Sequence, residues 1–194
     1  MSSHDHRGDV AAHRCPACVE AWLTARTVPD LGMLGARWLT GELELQPRYF
    51  GAAPDPETGD IIPALVTVNR AGLWTDQSQP GEDDDGESAQ RAYVSGFATP
   101  ELAAVIEHAA LHTELVVLAC PADRDGPFSV PITIDEGRAF TFSGRGGEYP
   151  DEYVSELSPE AVAALCASIH LEVFDPSWGR NDLLWEVLVA AVEA

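Results

Sequence analysis

The chain predicts a mixed α/β domain: a sheet of four or five mainly parallel or mixed strands, covered by helices. Three observations point there. Short apolar, β-branched runs alternate with stretches of helical period. Thr99-Pro100-Glu101 and Ser158-Pro159-Glu160 carry the cap-then-proline order of a helix start. Asp135-Glu136-Gly137 separates two strand-like runs and marks a hairpin. The 194 residues, 45% of them apolar, suit one domain over 19–194 behind a flexible N-terminal segment, 1–18.

The elements follow in order. Val19 to Leu39 is helical, broken near Val28-Pro29-Asp30, with Trp22, Leu31, Leu34 and Trp38 on its apolar face. Asp30 is placed to cap the second half, and Gly41 ends it. The Pro, Gly and Asp of 47–60 make a loop. Ile61 to Val68 is an apolar, β-branched run that reads as a buried strand, centred on Leu65–Asn69. Thr75–Gln90 is a long polar loop, and Arg91–Phe97 a second strand. The helix capped by Thr99 runs to about His112, and Leu115–Ala119 is a buried strand. Strand, helix and strand in succession suggest a parallel pair with a right-handed crossover. The hairpin of Ser129–Ile134 and Arg138–Phe142 comes next, then a Gly144-Arg145-Gly146-Gly147 loop. Two C-terminal helices close the chain, the first from Ser158 to about Leu171. The second spans Asn181 to Glu193, after a turn at Phe174–Arg180.

Charge and composition narrow the function. The net charge of −21 repels bare nucleic acid and suits either a solvated acidic surface or a basic protein partner. All basic residues are Arg, so a Schiff-base lysine, a pyridoxal anchor and a P-loop lysine are excluded. No apolar run is long enough to span a membrane, and the polar first ten residues lack the order of a signal peptide. A cytoplasmic protein with reduced cysteines is expected.

The segment from Asn69 to Gly81 concentrates the candidate chemistry, because polarity rises abruptly after the apolar run. Thr75, Asp76, Ser78 and Gln79 can surround a polar ligand, and Arg91, Asn69 and Arg70 can add charge or orientation. Asp76 is the candidate acid or base and Ser78 the candidate nucleophile, although no His is adjacent in sequence. The competing reading is a loop that hydrogen-bonds itself. Cys15 and Cys18, with His13, have the spacing of zinc ligands, against an inert thiol pair. His108 and His112 share a helical spacing without the metalloprotease order. Cys166 and His170 are four apart on an expected helix, Cys166 more simply as a buried structural thiol. Trp178 and Arg180 could stack on and pair with a ligand, or form a packed turn. Arg145, in its Gly-rich loop, is a candidate lid tip.

The pattern Asn69-Arg70-x-Gly72-x-x-Thr75-x-x-Ser78-Gln79-Pro80-Gly81 is followed by Gln90-Arg91-Ala92, Val94-x-Gly96-Phe97 and Asp175-Pro176-x-Trp178-Gly179-Arg180. With Leu31-Gly32 and Ala36-Arg37-Trp38-Leu39, it resembles an uncharacterised family of small actinobacterial proteins. The resemblance runs from about Trp22 onward, implies one domain and brings no activity. The expectation is therefore a small-molecule-binding protein acting without an organic cofactor, as a hydrolase or isomerase on a polar metabolite. The alternative is an acidic interaction protein: an inhibitor, an immunity factor or a nucleic-acid mimic.

Overall fold

The computed structural model describes residues 15–47, 53–84, 87–124, 126–144 and 157–194. It is a mixed α+β domain in which the two sheets are antiparallel, each of four strands. Helix α1 (Pro16–Thr24) is capped by the Cys15 sulfur, which accepts from the Cys18 N–H at 3.3 Å. Helix α2 (Val28–Leu39) is capped by Thr27. Asp30 sits one turn in and completes the capping box, accepting from the Thr27 and Arg26 N–H groups at 3.0 Å each. These bonds hold the Asp30 carboxyl below its ordinary pKa. Gly41, with φ of 76°, ends the helix as expected.

The run Ile61–Val68 is not a strand. After a 3-10 turn (Pro56–Ile61) it forms helix α3 (Ile62–Arg70), which packs against α2 and, on another side, against α6 (Leu183–Glu193). A short helix covered from two sides carries the continuous apolar signature of a buried strand, so the two are alike in sequence. Gly32 of α2 lets the two backbones meet: a Cβ there would lie 2.4 Å from the Asn69 carbonyl oxygen.

The stretch expected as one polar loop holds three strands: β1 (Trp74–Gln79), β2 (Glu82–Asp84) and β3 (Ser88–Gln90). Strand β4 (Tyr93–Ala98), helix α4 (Pro100–Ala110) and strand β5 (Val116–Pro121) lie where the sequence put them. Their pairing does not. Strand β8 (Ile169–Phe174) inserts between β4 and β5 and runs antiparallel to both, giving the order β1-β4-β8-β5. The expected parallel pair fails because its separator is supplied from far along the chain. Helix α5 (Pro159–Cys166) also stops earlier than expected, which frees β8 to form.

The second sheet has the order β2-β3-β6-β7, with β6 (Val130–Asp135) and β7 (Arg138–Ser143) forming the expected hairpin. Glu136 and Gly137 both take positive φ, 49° and 71°, as a two-residue hairpin turn requires. The larger core joins Val94, Leu171 and Val173 to Ile106, Leu184 and Leu188 of the helices. A smaller core, Tyr93, Phe174 and Ile132, lies between the two sheets. No helix among the described residues is long and apolar enough to cross a membrane.

Candidate functional site

Side chains alternate along a strand, so β4 and β8 each present two sets. Val94, Leu171 and Val173 form one set, in the larger core. The other set pairs Ser95 with Glu172 and Phe97 with His170 across the strands. Ser95, His170 and Glu172 are all at most 6% exposed. Burying an imidazole and a carboxylate costs several kcal/mol unless partners are arranged for them.

Asp76 supplies one partner. The β1–β4 register shifts between Thr75 and Gln77, which leaves Asp76 as the extra residue of a β-bulge. Gly96 opposite makes the bulge feasible, since a Cβ there would fall 2.4 Å from the Trp74 carbonyl oxygen. Asp76 is 4% exposed and accepts from the Ser95 hydroxyl at 2.5 Å. Its Oδ2 lies 3.6 Å from Nε2 of His170. On the other side of the ring, Nδ1 lies 3.9 Å from Oε1 of Glu172. The Phe97 ring packs on the imidazole, with centroids 5.1 Å apart. An acid, an imidazole and a second acid thus stand in a buried row.

Glu172 is fixed from both sheets. Its Oε2 accepts from the Tyr93 hydroxyl at 3.1 Å, the Ser143 hydroxyl at 2.7 Å and the Gly144 N–H at 2.9 Å. Burial, followed by the Glu172 and Asp76 charges, pushes the Tyr93 phenol well above its ordinary pKa. Tyr93 therefore stays a neutral donor.

A cavity of about 220 Å³ opens beside this row, lined by Thr75, Asp76, Gln77 and Ser78 of β1. Trp38, Gln46, Asp55, Glu57 and Thr58 are among the residues that close it. Asp76 belongs both to the cavity wall and to the buried row.

The residues singled out from the sequence separate into distinct groups. Thr75, Asp76 and Ser78 line the cavity. Asn69 is fully buried and clasps the start of β1. Its amide donates to the Leu65 carbonyl and to Thr75 Oγ1, both at 2.8 Å, and its oxygen accepts from the Thr75 N–H at 3.3 Å. Arg70 is exposed at the end of α3. Gln79 joins the sheets, donating to the Arg91 and Ile132 carbonyls at 3.0 Å each and accepting from Thr133 at 3.2 Å. Arg91 donates to the Pro131 carbonyl at 2.9 Å and stacks on Trp178, 4.2 Å from its ring centre. Burial holds its pKa below the ordinary value.

Cys15 caps α1, while Cys18 is 3% exposed in the core, where burial raises its thiol pKa. His13 and Arg145 lie outside the described residues, and among those described no three ligating side chains gather in a metal-sized cluster. His108 ends exposed on α4 and His112 in the turn beyond it, so they do not share a helix. Cys166 is exposed at the end of α5, against the expectation of burial, and His170 is on a strand. Arg180 grips the buried Asp175 at 2.5 and 2.8 Å and also pairs with Glu114, so this turn is a packed structural joint.

His170 and Glu172 were hidden by their position after an Ala-rich helix. The signal lay in Ile169-His170-Leu171-Glu172-Val173-Phe174, whose apolar and polar residues alternate with the period of a strand. No curated protein matches the chain. Residues 17–194 match the family model described as Domain of unknown function (DUF6919), and on that nearly full-length match the chain belongs to the DUF6919 family.

Proposed function

We propose that this protein binds a small polar metabolite in the Thr75–Ser78 cavity and acts on it in the cytoplasm by proton transfer, as a cofactor-independent hydrolase or isomerase. The observation that carries this reading is Asp76, which lines the cavity and stands 3.6 Å from a buried imidazole. In isomerisation Asp76 takes a proton from one ligand atom and returns it to another. In hydrolysis it takes the proton of the attacking water, and the leaving group receives a proton in turn. His170 stands behind that carboxylate, with Glu172 on the far side of the ring, as a positioning pair. The 3.6 Å between Asp76 Oδ2 and His170 Nε2 must shorten by several tenths of an ångström for His170 to hold the carboxylate by a hydrogen bond, an adjustment common when ligand binds. Thr75 and Ser78 offer hydroxyls to orient the ligand.

The test is a native mass spectrum of the untagged protein after incubation with a metabolite extract. The wild type is expected to retain a small-molecule mass that Ser78→Trp, with the cavity filled, does not. A bare chain in both cases overturns the reading.

The second reading, a basic protein partner, draws on a different place. An apolar groove between α3 and α6, about 550 Å³, is lined by Trp185 and Val189 and carries Asp60, Glu186 and Glu193. On a chain of net charge −21 this groove favours a basic, amphipathic segment. Capture of such a segment would weaken steeply with salt.

A further inference from the structure

The cavity has a sign. Among the described residues that line it, Asp55, Glu57 and Asp76 are carboxylates and no Arg or His is present. Arg91, the cation that the sequence offered for an anionic ligand, is stacked on Trp178 instead. A phosphate or carboxylate ligand would enter as a further negative charge, and no described lining residue is a cation to meet it.

Gln46 gives an independent indication. It lines the cavity, is 3% exposed, and its side-chain carbonyl Oε1 accepts no hydrogen bond from the described residues. A buried carbonyl without a donor costs about 1–3 kcal/mol, so a ligand or an ordered water is needed to supply one here. An ionised carboxylate and an amide carbonyl are both acceptors. The ligand that satisfies them must donate. Trp38, Leu39 and Leu65 in the same wall fit a short methylene chain. The volume, about 220 Å³, lies below the ~300–1,000 Å³ of pockets for drug-sized molecules.

We infer that the cavity takes a small organic cation with N–H donors, an aliphatic amine or guanidine, held by Gln46 Oε1 and the Asp55, Glu57 and Asp76 carboxylates. This rests on the reading of the same cavity as a ligand site. It would make Asp76 the group that receives a proton from, or returns one to, a charged nitrogen compound.

The test is an NMR titration of the full chain with three probes of matched length: 1,4-diaminobutane, 1,4-butanediol and succinate. The diamine is expected to shift the Thr75–Ser78 amides with a Kd at least about tenfold below that of the diol, and succinate to leave them in place. The exposed pair Asp55→Asn/Glu57→Gln should weaken the diamine about tenfold, Gln46→Leu should weaken it as well, and Glu101→Gln on α4 should not. Equal or tighter binding of the diol or succinate at Thr75–Ser78 overturns the charge assignment while leaving the cavity as a ligand site. Diamine shifts scattered over surface carboxylates, or no shift at Thr75–Ser78 with any probe, overturn the inference. The retained-mass experiment then judges the site by itself.

Discussion

Residues 171 and 173 of β8 and residues 170 and 172 of the same strand are neighbours with opposite tasks. Leu171 and Val173 enter the larger core with the helices. His170 and Glu172 enter a polar row with Asp76, Ser95 and Tyr93. One set lowers the free energy of the fold. The other is held in place against a desolvation cost, and for that reason we place the proposed site there.

Substitutions can separate the two sets. The largest loss of stability is expected on the helix side. Leu171→Ala should cost about 2–5 kcal/mol in urea unfolding, while each folded molecule still retains ligand. Unchanged stability would mean that the two sets are not distinct. Glu172→Ala comes next, at about 1–3 kcal/mol, because it strands the Tyr93, Ser143 and Gly144 donors. A cost under half of the lower bound would show that Glu172 does not join the sheets.

Tyr93→Phe should cost about 1 kcal/mol near neutral pH, and its sharper readout is the alkaline limb. The folded phenol titrates well above its ordinary value. The wild type therefore keeps the full Tyr93 contribution below about pH 10 and loses it progressively above, as the unfolded phenol ionises. Stability curves measured from pH 8 to 11 should converge for wild type and Tyr93→Phe at the alkaline end; parallel curves would count against the buried neutral phenol.

Asp30→Asn, remote from both sets, is a smaller effect and a control. The folded Asp30 carboxyl titrates below its ordinary value. Its contribution is present above about pH 4 and lost as pH falls through the folded pKa. A cost of about 0.5–1 kcal/mol at pH 7, vanishing in acid, is expected at this exposed cap.

The parts of the fold written in local chemistry were legible in the sequence. Thr99 and Ser158 with their prolines, the Asp135–Gly137 turn and the α1–α2 break all sit where side chains cap or turn their own neighbourhood. The parts written in distant contacts were not. α3 carries the apolar run of a strand because two helices cover it, and β1 is too polar to look like one. β8 chooses its neighbours only in the folded chain. The site divides the same way. Thr75, Asp76 and Ser78 announced themselves by a sudden rise in polarity, whereas the histidine missing beside Asp76 came from β8. Asn69, Gln79 and Arg91 look like ligand groups in sequence, but the fold gives them partners inside the protein.

Asp76→Asn is the substitution on which the proposed chemistry stands or falls. Asn can still accept from Ser95, so the fold should be kept, at a cost of about 1–3 kcal/mol for the altered contact with His170. The decisive measurement follows a metabolite extract by mass spectrometry with wild type, Leu171→Ala and Asp76→Asn at a temperature where all three are folded. Wild type and Leu171→Ala are expected to consume the same species and Asp76→Asn to leave it intact. Consumption by Asp76→Asn at the wild-type rate would rule out Asp76 as the reacting group, and a wild type that transforms nothing would rule out the proposed enzyme.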